Sequence, residues 1–358
     1  MGRTRQVTVV PLVGPFHTRW PRYTVVHVRQ ALRAFEPDVV ALEPLAGDAL
    51  ADPQWQDTDE IALPHTVVPW AKRSKVKLVS VGLLGVAGTP TSNEDGTQDL
   101  DDYLRDPQDP GDPRAEADLL RFLEQYEEGK ARLAAVRASL EPVRALLAQS
   151  LGPERLRGEL LPAIEAQQAE RRRLLDHGPG DGWLDERAAV VASRTLASGG
   201  ERIALVAGVD QVPALERALA DHVELVEPPR PDAGEEGRTR ALLDVAMRGE
   251  VDDVAALLAS LRNLEDAEAR YHEANLLLAN AHPAEALERL EMLLRMDFQE
   301  PYFLPGFALA RLGQLYDLAA RRREAQRSYR GVMALSYAPA EALAAARSGL
   351  EQQFALPT

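Results

Sequence analysis

The alternation of apolar, β-branched runs with amphipathic helical stretches most constrains the fold of this chain. Runs at residues 7–13, 39–42 and 76–81 are mostly apolar, as in strands that are buried on both faces of a sheet. Apolar residues at helical spacing over 23–35 join the first two runs, and another short helical segment precedes the third. This order predicts an α/β domain with a mostly parallel sheet, flanking helices and right-handed crossovers.

The same pattern resumes later in the chain, after an insertion. Residues 203–207 and 223–226 have strand character, and a helical segment separates them. Between about 115 and 176 the sequence is instead charged and helical, with a break at Gly152. We therefore expect a helical hairpin that is inserted into an α/β domain covering residues 1–227.

A Pro/Gly/Glu-rich segment at 228–238 has the composition of a linker, and residues 239–358 are helical in pattern throughout. One unit in this part has the spacing of the tetratricopeptide repeat, carried by Leu312, Gly313, Tyr316, Ala325 and Tyr329. The small residues would let two helices approach closely, while the larger ones fill the layer between them. This predicts tetratricopeptide-like repeats that bind a protein or peptide partner, with a generic helical bundle as the alternative.

Composition excludes several classes of function. The chain has no cysteine, which rules out disulfides, thiolate metal sites and a cysteine nucleophile. Its net charge of −15 argues against nucleic acid and against an anionic membrane as partners. No apolar run is long enough for a membrane helix, and the first residues lack the pattern of a signal peptide. We therefore expect a cytoplasmic protein.

The first two predicted strands each end at a residue that can carry chemistry. His17 follows the first strand in a turn that begins at Gly14, and Glu43 closes the second strand. Because ligands bind beyond the carboxyl ends of parallel strands, these side chains could converge. A histidine beside a carboxylate suits a general base, a metal site or a structural hydrogen bond. Arg22 follows closely and could hold an anionic group.

Residues 13–18 and 36–43 resemble the opening of the TraB/TIKI, ChaN and erythromycin-esterase superfamily, in which a Gly-x-x-His turn precedes a Pro-Asp-x-Val-x-x-Glu strand. Further similarity is carried by Glu186, Arg187, Gly208, Val212 and Pro213. The resemblance covers about residues 6–226. It implies a hydrolase of the esterase or metallopeptidase type, with His17 as base or metal ligand, Glu43 as its partner, and substrate or supporting contacts from Glu186 and Arg187.

The second turn, residues 208–211, departs from the superfamily pattern. Gln211 stands where the superfamily has its second histidine, although Asp210 could supply a replacement ligand. The candidate substrate contacts at the two turns are Gly14, Gly208, Asp210 and Gln211. Three outcomes stay open: a metal-free hydrolase with His17 as base, an altered site for manganese, cobalt or zinc, and an inactive site.

The last outcome belongs to a different class of function. A catalytically inactive α/β domain would bind a small molecule or peptide, and the helical repeats would serve as a protein-interaction module. A purely structural scaffold would require His17 and Glu43 to be buried from solvent.

Overall fold

The computed structural model describes residues 5–83, 127–174, 183–249 and 252–356. The chain forms two compact units, Met1–Gly237 and Arg238–Thr358, and their boundary falls inside the predicted linker. The start of the predicted helical insert, before residue 127, lies outside the described residues. Within the described parts of the chain, no helix has the length and apolar character needed to cross a membrane.

The first unit is built on five parallel strands. They are β1 (Gln6–Leu12), β2 (Val39–Ala46), β3 (Lys77–Gly82), β4 (Arg202–Gly208) and β5 (Glu224–Leu225). Their order in the sheet is β3-β2-β4-β1-β5, which confirms the predicted α/β class with a parallel sheet. The three middle strands are buried almost throughout, so their sequences are continuous apolar runs and do not alternate.

Helices pack on this sheet and, in the insert, on one another. In the first unit they are α1 (Val25–Phe35), α2 (Val68–Ser74), α3 (Glu127–Ser139), α4 (Glu141–Leu147), α5 (Leu161–Leu174), α6 (Trp183–Ala197) and α7 (Val212–Ala220). The insert has one more break than predicted. Pro142 lies in the first turn of α4, where its missing N–H is tolerated, and it separates α4 from α3.

The outer edge of β1 explains a proline inside a predicted strand. β5 pairs only with the first two residues of β1, and Pro11 lies beyond that pairing. The Val9 carbonyl there accepts a hydrogen bond from Arg157, and the Pro11 carbonyl accepts one from the Tyr23 hydroxyl. Because proline has no N–H to leave unpaired, it is well suited to this edge position.

The second unit is helical throughout its described residues. From the boundary onward the helices are α8 (Gly234–Arg248), α9 (Val254–Arg262), α10 (Ala267–Ala279), α11 (Pro283–Leu293), α12 (Leu304–Leu318), α13 (Arg322–Met333) and α14 (Ala340–Glu351). Tyr329 is fully buried between two glycines. A Cβ on Gly313 would lie 2.4 Å from the Tyr329 ring, and one on Gly349 would lie 2.3 Å from it. The close approach predicted at Gly313 is therefore present.

Candidate functional site

The candidate site lies at the carboxyl ends of β1, β2 and β4. In the sheet, β1 and β2 are not direct neighbours. β4 lies between β1 and β2, so the strand that ends at Gly208 separates the His17 turn from Glu43. Glu43 lies within β2, at a register shift between Leu42 and Ala46. Such an irregularity re-aims a side chain. Here the Glu43 carboxylate faces β4, where Gly208 N donates to Oε2 at 3.4 Å.

Arg187 on α6 is the charged partner of Glu43. Its Nη2 lies 2.7 Å from Glu43 Oε1, and the two side chains are 8% and 4% exposed. Burial raises the pKa of Glu43, the Arg187 guanidinium opposes that rise, and Asp210 adds to it. The neighbouring Glu186 is exposed, since adjacent helical residues point about 100° apart. The structure thus brings Arg187 into the site and leaves Glu186 at the surface.

Glu60 completes the site, although sequence reasoning missed it. It lies in the connection between β2 and α2, and Gly14 N donates to Glu60 Oε2 at 3.0 Å. Burial raises the pKa of Glu60 to about 7, the Gly14 hydrogen bond opposes the rise, and the charges of Asp210 and Glu43 add to it. Residues 57–60 contain three acids without helical or strand periodicity, so no sequence signal distinguished this one.

Three carboxylates approach the backbone closely at Gly208. A Cβ at this position would lie 2.8 Å from Asp210 Oδ1, 3.7 Å from Glu60 Oε1 and 4.0 Å from Glu43 Oε2. We call the surroundings of Gly208 between these three carboxylates the Gly208 hollow. Asp210 is exposed, Glu60 is half-buried and Glu43 is buried, so the acidic groups extend from the solvent into the interior. A side chain at position 208 would collide with Asp210, so only glycine allows this approach.

Two amides hold Asp210 in place. Gln211 Nε2 donates to Asp210 Oδ2 at 2.8 Å, and Gln168 Nε2 of α5 donates to the Asp210 carbonyl at 2.5 Å. The predicted contact residues Gly208, Asp210 and Gln211 therefore do come together. Gln211 acts on the site through Asp210, and the helical insert contributes Gln168, which was not predicted.

His17 has a structural position, which corrects its predicted role. Val13 N donates to Nε2 at 3.2 Å, so Nδ1 carries the proton and donates to the Tyr23 carbonyl at 2.9 Å. The ring is fully buried and stacks on Tyr23. Burial lowers the pKa of His17 to about 4, and the hydrogen bond to Tyr23 opposes that shift. Because backbone groups occupy both ring nitrogens, His17 does not pair with Glu43, and the prediction of that pair is wrong.

Arg22 also lies elsewhere than predicted. It is exposed. A Cβ added to Gly152 would lie 3.5 Å from the Cβ of Arg22, so Arg22 lies against the insert. Arg22 therefore makes no contact at the Gly208 hollow that would support the predicted binding of an anion there. The other arginine candidate, Arg187, is the one that reaches the acidic groups.

The donor groups present do not fit the manganese, cobalt or zinc that the resemblance suggested. His17 has no nitrogen left for a metal, and one oxygen of Glu43 is bound by a guanidinium. Among the residues that the structure describes, no three His, Cys, Asp or Glu side chains are arranged to hold a metal ion.

Comparison with known proteins adds no identity to this geometry. No protein-family model matches the chain, and neither a curated protein nor a solved structure matches it. The superfamily resemblance therefore stays a prediction. Any function has to be argued from the groups around the Gly208 hollow.

Proposed function

We propose that the first unit is a hydrolase that adds water to an ester or amide, with Glu60 as the general base. The position of the Glu60 carboxyl carries this proposal. Gly14 N holds Oε2, while Oε1 borders the Gly208 hollow. A carboxyl whose pKa is about 7 is partly ionised at neutral pH, so it can take a proton from water and return it.

The reaction follows from this placement. A water at Glu60 Oε1 attacks a substrate carbonyl carbon at the Gly208 hollow, forming the new carbon–oxygen bond as a proton passes to Glu60. The tetrahedral intermediate then breaks its bond to the alcohol or amine. The leaving group receives the proton from Glu60, which returns to its ionised form.

The surrounding charges adjust the proton affinity of Glu60. The charges of Asp210 and Glu43 raise its pKa, and Arg187 favours the ionised form of Glu43. Glu43, Arg187 and Asp210 are therefore positioning residues in this proposal. Gln168 and Gln211 act one step further out, by fixing Asp210.

A panel of p-nitrophenyl esters and p-nitroanilides of graded acyl length tests the proposal. Glu60→Gln should lower kcat by about 100-fold or more, the usual share of a general base. Asp210→Asn should keep measurable activity and move the acidic limb of the kcat/KM profile to lower pH, because it removes a charge that raises the pKa of Glu60. Asp57→Asn, in the same connection, is the matched control. Full activity in Glu60→Gln would exclude Glu60 as the base.

A ligand-binding domain without turnover is the second candidate. This candidate is supported by the two positions at which the superfamily pattern has a histidine. His17 has both ring nitrogens bonded to the backbone, and Gln211 carries an amide in place of an imidazole. In this case the wild type hydrolyses none of the panel, yet calorimetry detects a ligand whose binding Gly208→Ala abolishes. The helical unit would then recruit a protein or peptide partner, and cross-links from the full chain to that partner should map to residues 238–358.

We also propose a cytoplasmic location and no nucleic-acid partner. The lack of cysteine is compatible with a reducing compartment, and the net charge of −15 disfavours polyanions. Cell fractionation and a gel-shift assay with mixed DNA and RNA test the two statements separately.

A further inference from the structure

A second charged cluster lies in the helical unit and involves none of the residues used above. Glu273 on α10 is fully buried, and one arginine from each of three successive helices meets its carboxylate. These are Arg262 on α9, Arg270 on α10 and Arg289 on α11. Each places a guanidinium nitrogen 2.9 Å from a Glu273 oxygen.

Arg270 is committed to the fold. Its Nη1 bonds Glu273 Oε2, and its remaining hydrogen bonds go to the carbonyls of Leu261, Arg262 and Leu264 at the end of α9. Only 12% of this side chain is exposed. Arg270 therefore anchors Glu273 and has little left to offer a ligand.

Arg262 and Arg289 are placed differently. Both approach the same carboxylate oxygen, Glu273 Oε1, through Nε, so their terminal amino groups are not used by the carboxylate. The Nε of Arg289 is at ion-pair distance but makes no directional hydrogen bond there. Its Nη1 has only a weak contact with Met292 Sδ at 3.4 Å. Solvent reaches both side chains, which are 47% and 27% exposed.

The cluster also has a surplus of positive charge. Three guanidinium groups share one carboxylate, which leaves two positive charges without a counter-charge. Within residues 252–356 of the described chain, these arginines form ion pairs with Glu273 alone. Two guanidinium groups drawn to one oxygen repel each other, and a further anion between them would relieve that repulsion.

We infer that Arg262 and Arg289 form a binding site for a phosphate dianion, supplied as free phosphate or as a phosphate monoester. Such a group carries a charge of about −1.5 to −2 near neutral pH, which matches the surplus. Planar guanidinium groups bind phosphate oxygens in pairs, and Glu273 takes only the Nε side of these two groups. Glu273 lies at both arginines and competes with the phosphate for their charge.

Isothermal titration of the full chain with inorganic phosphate, in a chloride buffer, tests the inference. The wild type should show saturable binding in the millimolar range or tighter. Arg262→Gln and Arg289→Gln should each weaken it about tenfold or more, as expected for the loss of charge-assisted hydrogen bonds. Arg330→Gln, at an exposed arginine on α13, is the matched control and should bind like the wild type.

Glu273→Gln separates this site from unselective anion binding. Removal of the competing carboxylate should tighten phosphate binding, the opposite direction to the arginine variants. Parallel titrations with phosphoserine and with succinate distinguish a monoester from free phosphate and from a dicarboxylate. No saturable binding by the wild type, stronger binding of succinate, or equal loss in all three arginine variants would overturn the inference. If Glu273→Gln does not fold, the arginine variants decide.

Discussion

Replacing Arg187 by methionine tests the electrostatics of the candidate site without any substrate. The change removes the guanidinium that lies 2.7 Å from the buried Glu43 carboxylate. Leaving one member of a buried pair uncompensated costs about 3–5 kcal/mol. This destabilisation has an upper limit, because Glu43 can become neutral by taking up a proton. Protonation costs about 1.4 kcal/mol for each pH unit above the ordinary glutamate pKa of 4.5. Counted from pH 4.5, that limit is at most about 5 kcal/mol near pH 8 and about 2 kcal/mol near pH 6, and the raised pKa of Glu43 in the wild type lowers it.

The sign of the pH dependence follows from the same cause. Burial keeps the folded-state pKa of Glu43 above its unfolded value even beside Arg187, and the loss of Arg187 raises it further, so the folded variant binds more protons than the folded wild type. Its free energy of unfolding must then fall as pH rises towards the folded-state pKa, and the deficit against the wild type should shrink as pH falls. The double variant Glu43→Gln/Arg187→Met should recover most of the loss, since both charges of the buried pair are then removed.

Urea unfolding followed by tryptophan fluorescence measures this deficit, because all four tryptophans precede residue 238 and report on the first unit. Arg217→Met is the control. Arg217 is 39% exposed and pairs with Glu165 and Asp185 at the surface, so its loss should cost less than about 1 kcal/mol. A deficit below about 1 kcal/mol for Arg187→Met near pH 8, or one that does not change with pH, would refute the reasoning.

Three further outcomes follow. His17→Leu leaves two buried backbone groups unpaired and should cost about 2–4 kcal/mol in the tryptophan assay; loss of activity at unchanged stability would contradict the structural role of His17. A Cβ in Gly208→Ala would lie 2.8 Å from Asp210 Oδ1 and must displace that exposed carboxylate, so turnover of any ester substrate should fall about tenfold or more while stability changes by less than about 1 kcal/mol. Tyr329→Phe removes the 3.0 Å hydrogen bond to Asp317 and should cost about 1–2 kcal/mol by far-ultraviolet circular dichroism; an equal shift in tryptophan fluorescence would contradict its assignment to the second unit.

The local elements of the first unit could be predicted because their signals are local. Predicted strands at 7–13 and 203–207 correspond to Gln6–Leu12 and Arg202–Gly208, since strands buried on both faces must be apolar throughout. The predicted helix at 23–35 begins two residues later, at Val25, and ends at Phe35 as expected. The close helix approach at Gly313 was equally visible, because a missing side chain is a property of the residue itself.

The composition of the site could be predicted only in part. Glu43 was predicted from its place at the end of a strand and Arg187 from a resemblance, and the structure joins them. Glu60 escaped notice because its role depends on an N–H 46 residues away, at Gly14. Gln168 escaped for the same reason, since its partner Asp210 lies 42 residues further along the chain. Contacts between distant residues leave no periodicity in either segment.

The sequence by itself determined the class of fold, the division near residue 237 and the residue types available at the carboxyl ends of the strands. The tertiary structure alone decided which of those residues meet. It inserted β4 between β1 and β2, so Glu43 faces Gly208 and Arg187 while His17 turns its nitrogens to the backbone. The physical reason is that a strand's character is set by its own residues. Its place in the sheet is set instead by which neighbours bury it best, and the protonation of Glu60 follows from that arrangement.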